Sequence, residues 1–187
     1  MKTIFFGGIH GVGKSSIIQG IMKEKENIGH YSFGENVRKL AKKSGKIHDI
    51  KELSGLSNEV RLELLQEAKK KFRDIVTSEL YDILLVDNHF SVYENKQLVK
   101  ALDDEDIPLY DTFILVNVPA DILHTRISQD NKQRTRESCD KEKMVHHSIY
   151  ERKIAEEIKK KWNIELIEVE NIDLHESIKE VQKRIEK

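Results

Sequence analysis

The feature that most constrains this chain is a glycine-rich stretch close to its N-terminus. Residues 8–15 read Gly-Ile-His-Gly-Val-Gly-Lys-Ser and fit the phosphate-binding pattern G-x-x-x-x-G-K-[ST]. An apolar run at residues 4–6 predicts a buried parallel strand before this loop. The residues after the loop continue with the apolar spacing of a helix. Strand, loop and helix N-terminus together predict a phosphate-binding site.

The residues of this loop have different expected roles. Backbone N–H groups of the loop and of the following helical turn are expected to bind the phosphates of ATP. The Lys14 ammonium is expected to reach the β- and γ-phosphates, and the Ser15 hydroxyl is expected to bind Mg²⁺. The candidate nucleotide-binding residues are Gly8, Gly11, Val12, Gly13, Lys14, Ser15 and Ser16.

The amino-acid composition indicates which kinds of molecule the protein can bind. The 32 Lys and Arg residues nearly balance the 33 Asp and Glu residues, so the chain lacks the basic surface typical of nucleic-acid-binding proteins. The single cysteine, Cys139, excludes an internal disulfide and favours a reducing environment. No apolar stretch is long enough for a signal-peptide core or a membrane span. We therefore expect a cytoplasmic protein that acts on small molecules, without nucleic-acid or membrane partners, and a homo-oligomer is compatible with the sequence.

Strand and helix signals alternate along the chain. Apolar runs typical of strands occur at residues 4–6, 28–33, 81–87, 112–118 and 165–169. Helices are predicted at residues 15–23, 34–41, 60–76, 97–102, 121–127, 140–161 and 174–185. Residues 88–96 are predicted to form a loop, and residues 103–106 a solvated acidic turn. The alternation predicts an α/β fold with three layers, α/β/α, around a five-stranded parallel sheet, in a single domain over residues 1–187.

Two candidate site residues lie at the end of the third predicted strand and just after it. Asp87 ends this strand, and ligands of open α/β sheets bind beyond the carboxyl ends of the strands. A carboxylate there could hold Mg²⁺, directly or through water, or orient an attacking hydroxyl group. His89, two residues later, could donate a hydrogen bond to a phosphate.

Arginines provide further candidates. Arg134 and Arg136 are two residues apart, so in an extended loop both side chains leave on the same side and could close over one triphosphate. Arg126 lies shortly before them, although a solvated basic loop would show the same composition. Arg38 lies one turn into the helix that opens at Gly34, where it could meet a second anionic substrate.

These residues resemble the motifs of archaeal-type adenylate kinases and other P-loop nucleoside monophosphate kinases. The family's loop reads approximately G-V-P-G-V-G-K-T-T, which matches residues 8–16 except that His10 replaces the proline. Residues 34–38, Gly-Glu-Asn-Val-Arg, are similar to T-G-D-x-x-R, and Asp-Asn-His at 87–89 is similar to D-T-H. Gln-Arg-Thr-Arg at 133–136 resembles the arginine-bearing lid.

The resemblance implies a P-loop NTPase fold with a short lid at residues 128–138 and a small monophosphate-binding helical insertion within residues 34–66. It implies that Arg38 contacts the acceptor phosphate. The candidate catalytic residues are then Lys14, Asp87, Arg126, Arg134 and Arg136. The candidate metal ligands are Ser15 and Asp87. The candidate substrate-binding residues are Gly34, Arg38 and His89. One departure is that residues 90–96 replace the family's Gly- and Pro-rich stretch.

The leading interpretation is Mg²⁺-dependent transfer of the ATP γ-phosphoryl group to a nucleoside monophosphate, with AMP the first candidate. One alternative is a kinase of another small metabolite or nucleoside, in which Asp87 would act as the base for a hydroxyl group. A non-enzymatic alternative is a switch in which ATP binding orders the arginine loop for a protein partner.

Overall fold

Five parallel strands form the central sheet of the protein. The computed structural model describes residues 1–94, 97–130 and 140–185. In chain order its strands are β1 (Lys2–Gly7), β2 (Ile28–Ser32), β3 (Ile83–Asp87), β4 (Ser91–Glu94), β5 (Gln97–Lys100), β6 (Thr112–Asn117) and β7 (Glu165–Glu170). The sheet has the order β2-β3-β1-β6-β7, and every neighbouring pair is parallel. All five strands expected for the sheet are confirmed.

Four of the six described helices begin with a side chain that accepts a hydrogen bond from a free N–H group of the first turn. The helices are α1 (Lys14–Glu24), α2 (Phe33–Lys43), α3 (Asn58–Ser78), α4 (Ala120–Asp130), α5 (Lys141–Trp162) and α6 (Leu174–Ile185). Before α6, the Asp173 carboxylate accepts a hydrogen bond from the Glu176 N–H at 3.0 Å and so caps the helix. Asp140 caps α5 in the same way. Within the described ranges, none of the helices has the length and apolar character needed to cross a lipid bilayer.

Two apolar clusters cover the two faces of the sheet. On one face, alternate strand residues such as Phe5, Val86 and Phe113 pack against α2, α3 and α5. On the other face, their neighbours, such as Phe6 and Leu85, pack against α1, α4 and α6. Successive residues of a strand point to opposite faces, and both sets are buried, which explains the continuous apolar runs in the sequence. The three-layer α/β/α fold is therefore confirmed.

The helix expected at residues 97–102 is wrong. This stretch contains β5, which pairs antiparallel with β4 and places Val92 opposite Val99 and Tyr93 opposite Leu98. Only two residues lie between the strands, a spacing typical of β-hairpins. A six-residue helix gains little stability, whereas β-branched and aromatic pairs across a hairpin favour strands. Residues 88–96 consequently include β4 and do not form a simple loop.

The acidic turn at residues 103–106 is not merely solvated. Asp106 is 4% exposed, and its Oδ1 accepts hydrogen bonds from Arg73 Nε at 2.8 Å and Nη2 at 2.6 Å. Lys69, also on α3, is 6% exposed and forms an ion pair with Asp103. These contacts hold the segment after the hairpin against α3, because each buried charge needs its partner.

Candidate active site

The glycine loop connects the carboxyl end of β1 to the first turn of α1. Gly8, Gly11 and Gly13 have positive φ angles of 135°, 87° and 96°, which residues with a side chain adopt only under strain. Val12 is buried with 2% exposure and anchors the loop in the apolar cluster below. Ser16 lies in the exposed first turn of α1. The loop thus has the backbone form that lets consecutive N–H groups surround an anion.

The Lys14 side chain folds back over this loop. Its Nζ donates hydrogen bonds to the carbonyl oxygens of Gly8 at 2.6 Å and Ile9 at 3.3 Å, and the residue is 7% exposed. Carbonyl oxygens are weaker partners for an ammonium group than phosphate oxygens are. The ammonium group is therefore held beside the loop by partners that an anionic ligand can replace.

Ser15 and Asp87 meet at the carboxyl edge of the sheet. Asp87 lies level with Phe6 of β1, so its side chain extends toward the start of α1. The Ser15 hydroxyl donates a hydrogen bond to Asp87 Oδ2 at 2.6 Å. A hydroxyl and a carboxylate are the hard oxygen ligands that Mg²⁺ prefers, so the two residues fit the metal role expected for them.

His89 contacts the loop from its other side. Its Nδ1 lies 2.7 Å from the Gly8 carbonyl oxygen, so Nδ1 carries the proton in this contact because a carbonyl only accepts. Its ring lies 4.4 Å from the ring of His10, measured between centroids. Burial, the Lys14 ammonium and His10 lower the pKa of His89 well below its ordinary value. His89 is therefore neutral and serves the loop as a hydrogen-bond donor.

Three histidines with lowered pKa values predict a specific pH dependence of stability. Burial lowers the pKa of His30, His89 and His147. The unfolded chain takes up protons at its histidines near pH ~6.5, while the folded chain binds fewer. Their contribution is therefore present above pH ~6.5 and is lost as the pH falls toward the folded pKa values. We expect a lower midpoint of thermal unfolding at pH ~5 than at pH ~7.5, measured by circular dichroism.

Histidine variants separate this effect from general acid sensitivity. His89→Gln keeps an N–H donor beside Gly8 but cannot titrate, so its midpoint should change less between the two pH values. His175→Gln, at an exposed position on α6, should retain the wild-type dependence. Carboxylates lose their stabilising charge mainly below pH ~4.5, outside this window. A wild-type midpoint that does not change between pH ~5 and ~7.5 would contradict the prediction.

Arg126 and Asn171 support the loop from the α4 and β7 side. Arg126 Nη2 donates to the carbonyl oxygens of Asn171 at 2.9 Å and Ile172 at 3.3 Å. Asn171, 2% exposed, donates from Nδ2 to the Val12 carbonyl oxygen at 2.7 Å. A Cβ atom on Gly13 would lie 2.2 Å from Asn171 Nδ2. Asn171 is absent from the sequence-based candidates, although a polar residue directly after the last strand of such a sheet was an available signal.

The candidates for a second substrate lie on α2, beyond the neighbouring strands. Ser32, at the end of β2, lies level with Asp87 and caps α2. Apart from its chain neighbours and its own helix backbone, no atom of the described residues lies within 4 Å of the position of a Cβ on Gly34, so the space beside it is open. Arg38 is half-buried, and its guanidinium forms no hydrogen bond or ion pair with any residue in the described ranges. A half-buried cation of this kind is suited to an anionic ligand.

The structure brings together most of the expected site. The loop residues, Asp87, His89 and Arg126 contact one another directly or through one residue, as described above. Gly34 and Arg38 follow β2, which lies beside β3 in the sheet. Arg134 and Arg136 lie outside the described residues, as does most of the lid expected at 128–138.

Solved structures that share this fold have little sequence in common with the chain. A candidate kinase from Chloroflexus aurantiacus has a TM-score of 0.59 at 15% identity, covering 99% of this chain and 96% of that one. TT1252 from Thermus thermophilus has a TM-score of 0.60 at 13% identity, with coverages of 98% and 95%. Shikimate kinase from Bacteroides thetaiotaomicron has a TM-score of 0.60 at 12% identity, with coverages of 100% and 99%. At these identities the likeness establishes a fold shared with such proteins.

A comparison with protein families identifies the family of the chain. The comparison with curated proteins found no match. A family model described as an AAA domain, AAA_17, matches residues 7–145, from the end of β1 into the start of α5. The matched range contains the glycine loop, Asp87, His89 and Arg126. Since it spans more than half of the sequence, the chain belongs to the AAA_17 family of AAA domains.

Proposed function

We propose that this protein transfers the γ-phosphoryl group of ATP to a nucleoside monophosphate in a Mg²⁺-dependent reaction, with AMP the first candidate acceptor. The observation that carries the choice of acceptor is Arg38, a half-buried guanidinium without an ion-pair partner among the described residues. It lies on the helix after β2, beside the strand that ends at Asp87. A phosphate on the acceptor would supply a hydrogen-bonded anion, which none of the described residues gives this guanidinium.

The donor side of the proposal is supported by the contacts of the glycine loop. Ser15 and Asp87 would hold Mg²⁺, which when bound neutralises charge on the phosphate oxygens. Lys14 would exchange the carbonyl oxygens of Gly8 and Ile9 for phosphate oxygens. His89 would keep the loop in place through its contact with Gly8.

The acceptor needs little activation by the protein. A phosphate monoester is already an anion at neutral pH, so no general base is required. The work of the protein is to align donor and acceptor, to neutralise charge and to exclude water. Arg38 would hold the acceptor phosphate, and Arg134 and Arg136 are proposed from sequence to close over the reacting groups as a lid.

A panel assay tests the proposal directly. The chain is incubated with MgATP and, in separate reactions, with each of the common nucleoside monophosphates, with the corresponding nucleosides and with other hydroxyl-bearing metabolites, and ADP formation is followed by a coupled assay. We expect turnover with at least one of the monophosphates, and with AMP first. Turnover only with hydroxyl acceptors would favour a metabolite or nucleoside kinase. Tight ATP binding without turnover on any acceptor would favour a switch.

Substitution of Arg38 tests the acceptor assignment. Arg38→Ala should raise the KM for the monophosphate roughly 10- to 100-fold, the loss expected for charge-assisted hydrogen bonds to a phosphate. The KM for ATP should remain within about twofold of wild type, because the donor loop is untouched. Steady-state kinetics with each substrate varied in turn provide the measurement.

The adjacent lysine is the matched control. Lys39 lies on the same helix but is exposed, and its Nζ pairs with Glu35 at 2.7 Å. Lys39→Ala removes one positive charge from α2 and should leave both KM values close to wild type. Equal effects of the two substitutions would indicate general electrostatic attraction and would argue against a specific role for Arg38.

A further inference from the structure

A buried carboxylate on α5 has no part in the site described so far. Glu151 is 1% exposed and lies on the helix face that also buries Ile154 and Ile158. Its Oε2 accepts a hydrogen bond from the Phe90 N–H at 3.1 Å. Its Oε1 accepts from the Ser91 N–H and, at 2.7 Å, from the Ser91 hydroxyl. One side chain thus binds three donors of the segment that follows β3.

That segment, residues 87–91, connects the expected metal ligand to the hairpin. At its start the Asn88 N–H donates to the Phe6 carbonyl oxygen at 3.1 Å, which continues the pairing of β3 with β1. In its middle His89 contacts the Gly8 carbonyl oxygen. At its end Glu151 holds Phe90 and Ser91. The segment is therefore fixed by the sheet on one side and by Glu151 on the other, with the glycine loop between them.

The Phe90 ring shows how closely this segment is fitted to the loop. The ring is fully buried and lies 4.9 Å from that of Phe5, between centroids. A Cβ atom on Gly7 would lie 2.1 Å from Phe90 Cε2, so the chain at the start of the loop passes directly over the ring. A displacement of Phe90 would therefore change the packing beneath the loop as well as the position of His89.

His147, one turn before Glu151, contacts the same segment. Its Nε2 lies 3.3 Å from the Ser91 carbonyl oxygen and 3.8 Å from Glu151 Oε1. Its ring also lies 5.1 Å from the ring of Tyr93, between centroids. Two successive turns of α5 therefore bind the polar groups of Ser91.

Burying a carboxylate at this position costs more free energy than burying an apolar side chain, so packing alone does not explain Glu151. Removing a carboxylate from water costs several kcal/mol even after relaxation, and an apolar side chain at such a helix position usually costs less. Hydrogen bonds from the three donors offset this desolvation cost. Without Glu151, the N–H groups of Phe90 and Ser91 would need another acceptor. The arrangement specifies one geometry of the segment, which packing alone would specify less sharply.

We propose that Glu151 is a positioning residue that holds residues 87–91 against the glycine loop, so that Asp87 stays aligned with Ser15 for a Mg²⁺-bound nucleotide. The proposal rests on the proposed function only in assigning Asp87 and Ser15 to the cation. Among the described residues, the hydrogen bonds of Glu151 go to Phe90 and Ser91 and not to Ser15 or Asp87. Its effect is transmitted through the backbone between Asp87 and Ser91.

Nucleotide affinity with and without Mg²⁺ tests this role. A fluorescent ATP analogue is titrated into the full chain in excess Mg²⁺ and in EDTA, and the ratio of the two Kd values gives the gain due to the metal. Glu151→Gln is nearly isosteric, but its amide NH₂ cannot accept, so at least one N–H of the segment loses its acceptor. We expect the gain to fall about fivefold or more, with the Kd in EDTA within about twofold of wild type.

A second glutamate on the same helix provides the control. Glu156 is exposed on α5, and Glu156→Gln makes the identical chemical change away from residues 87–91. It should leave both Kd values unchanged. If Glu151→Gln lowers the midpoint of thermal unfolding but keeps the wild-type gain from Mg²⁺, its role is structural only and the proposal is overturned.

A second variant covers the case in which Glu151→Gln does not fold. If Glu151→Gln is not recovered folded, Ser91→Ala replaces it, since it removes the hydroxyl donor and leaves Glu151 in place. It should reduce the gain from Mg²⁺ about twofold, and an unchanged gain would overturn the proposal. Failure of the proposed function is recognised separately, as absence of phosphoryl transfer by the wild-type chain, because the Glu151 test measures binding alone.

Discussion

Replacement of Lys14 with alanine is expected to lower phosphoryl transfer by about 10²- to 10³-fold, the usual loss when one preorganised cationic or hydrogen-bonding group is removed from developing charge. Lys14 is 7% exposed, and its ammonium group is already held beside the glycine loop by two carbonyl oxygens. Little reorganisation is needed for it to meet a phosphate, so most of its electrostatic effect is available to the reaction. Turnover under saturating MgATP and acceptor measures the loss.

A lysine at the other end of α1 shows whether the loss is specific. Lys23 lies in the last turn of that helix and is exposed, so Lys23→Ala makes the same substitution away from the loop. It should retain wild-type turnover, and circular dichroism should show both variants folded. A Lys14→Ala protein with more than about a tenth of wild-type turnover would contradict the expected role of Lys14. The result applies to any acceptor, since the donor loop is common to all of them.

The order of the helices and of the five strands of the central sheet could be predicted because these elements have local signals, unlike the hairpin strands β4 and β5. The apolar runs of β1, β3 and β6 reflect burial on both faces of the sheet, and Asp173 marks the start of α6 through its own hydrogen bond. Strand neighbours have no such signal. Phe5 of β1 pairs with Val86 of β3, and which strands become neighbours depends on how the helices pack on both faces of the sheet.

The regions that were predicted incorrectly are those where tertiary contacts override local pattern. Residues 97–100 have only two apolar positions, and pairing with β4 and packing on α5 make them a strand. Asp106 belongs to an acidic run that looks solvated, yet Arg73, 33 residues away, allows it to be buried. Composition could not distinguish it from its exposed neighbours.

The candidate site divides in the same way. The loop residues and Asp87 could be predicted because a motif and a strand-end rule describe them. Glu151 could not, because its contact with Ser91 spans 60 residues. Asn171 contacts Val12 across 159 residues, and its place directly after β7 was the one signal for it. The sequence contains one signal for Glu151: it lies on the apolar stripe of α5, three residues before Ile154 and seven before Ile158. A charged residue within such a stripe indicates a buried polar contact.

Gly8→Ala is the substitution expected to destabilise the fold most, by ~3–5 kcal/mol. Gly8 has a φ angle of 135°, which an alanine adopts only under strain. A Cβ atom there would lie 2.3 Å from the Val116 carbonyl oxygen, which belongs to the backbone of β6 and cannot rotate away. The Gly8 carbonyl oxygen also accepts from Lys14 and contacts His89, so displacement of the loop should weaken ATP binding as well.

Urea denaturation, followed by circular dichroism at the helical signal, measures this loss of unfolding free energy. Gly55→Ala is the matched control, because among the described residues other than its chain neighbours no atom lies within 4 Å of its Cβ position, and its φ angle is not positive. In that open position alanine restricts the unfolded chain and should change stability by no more than ~1 kcal/mol, toward a more stable protein. If Gly8→Ala unfolds within ~1 kcal/mol of wild type, the contact with Val116 does not constrain the loop. A large loss at Gly8 with none at Gly55 would instead show that the glycine loop is held by the backbone of β6, so that the geometry of the phosphate site and the stability of the sheet depend on the same atoms.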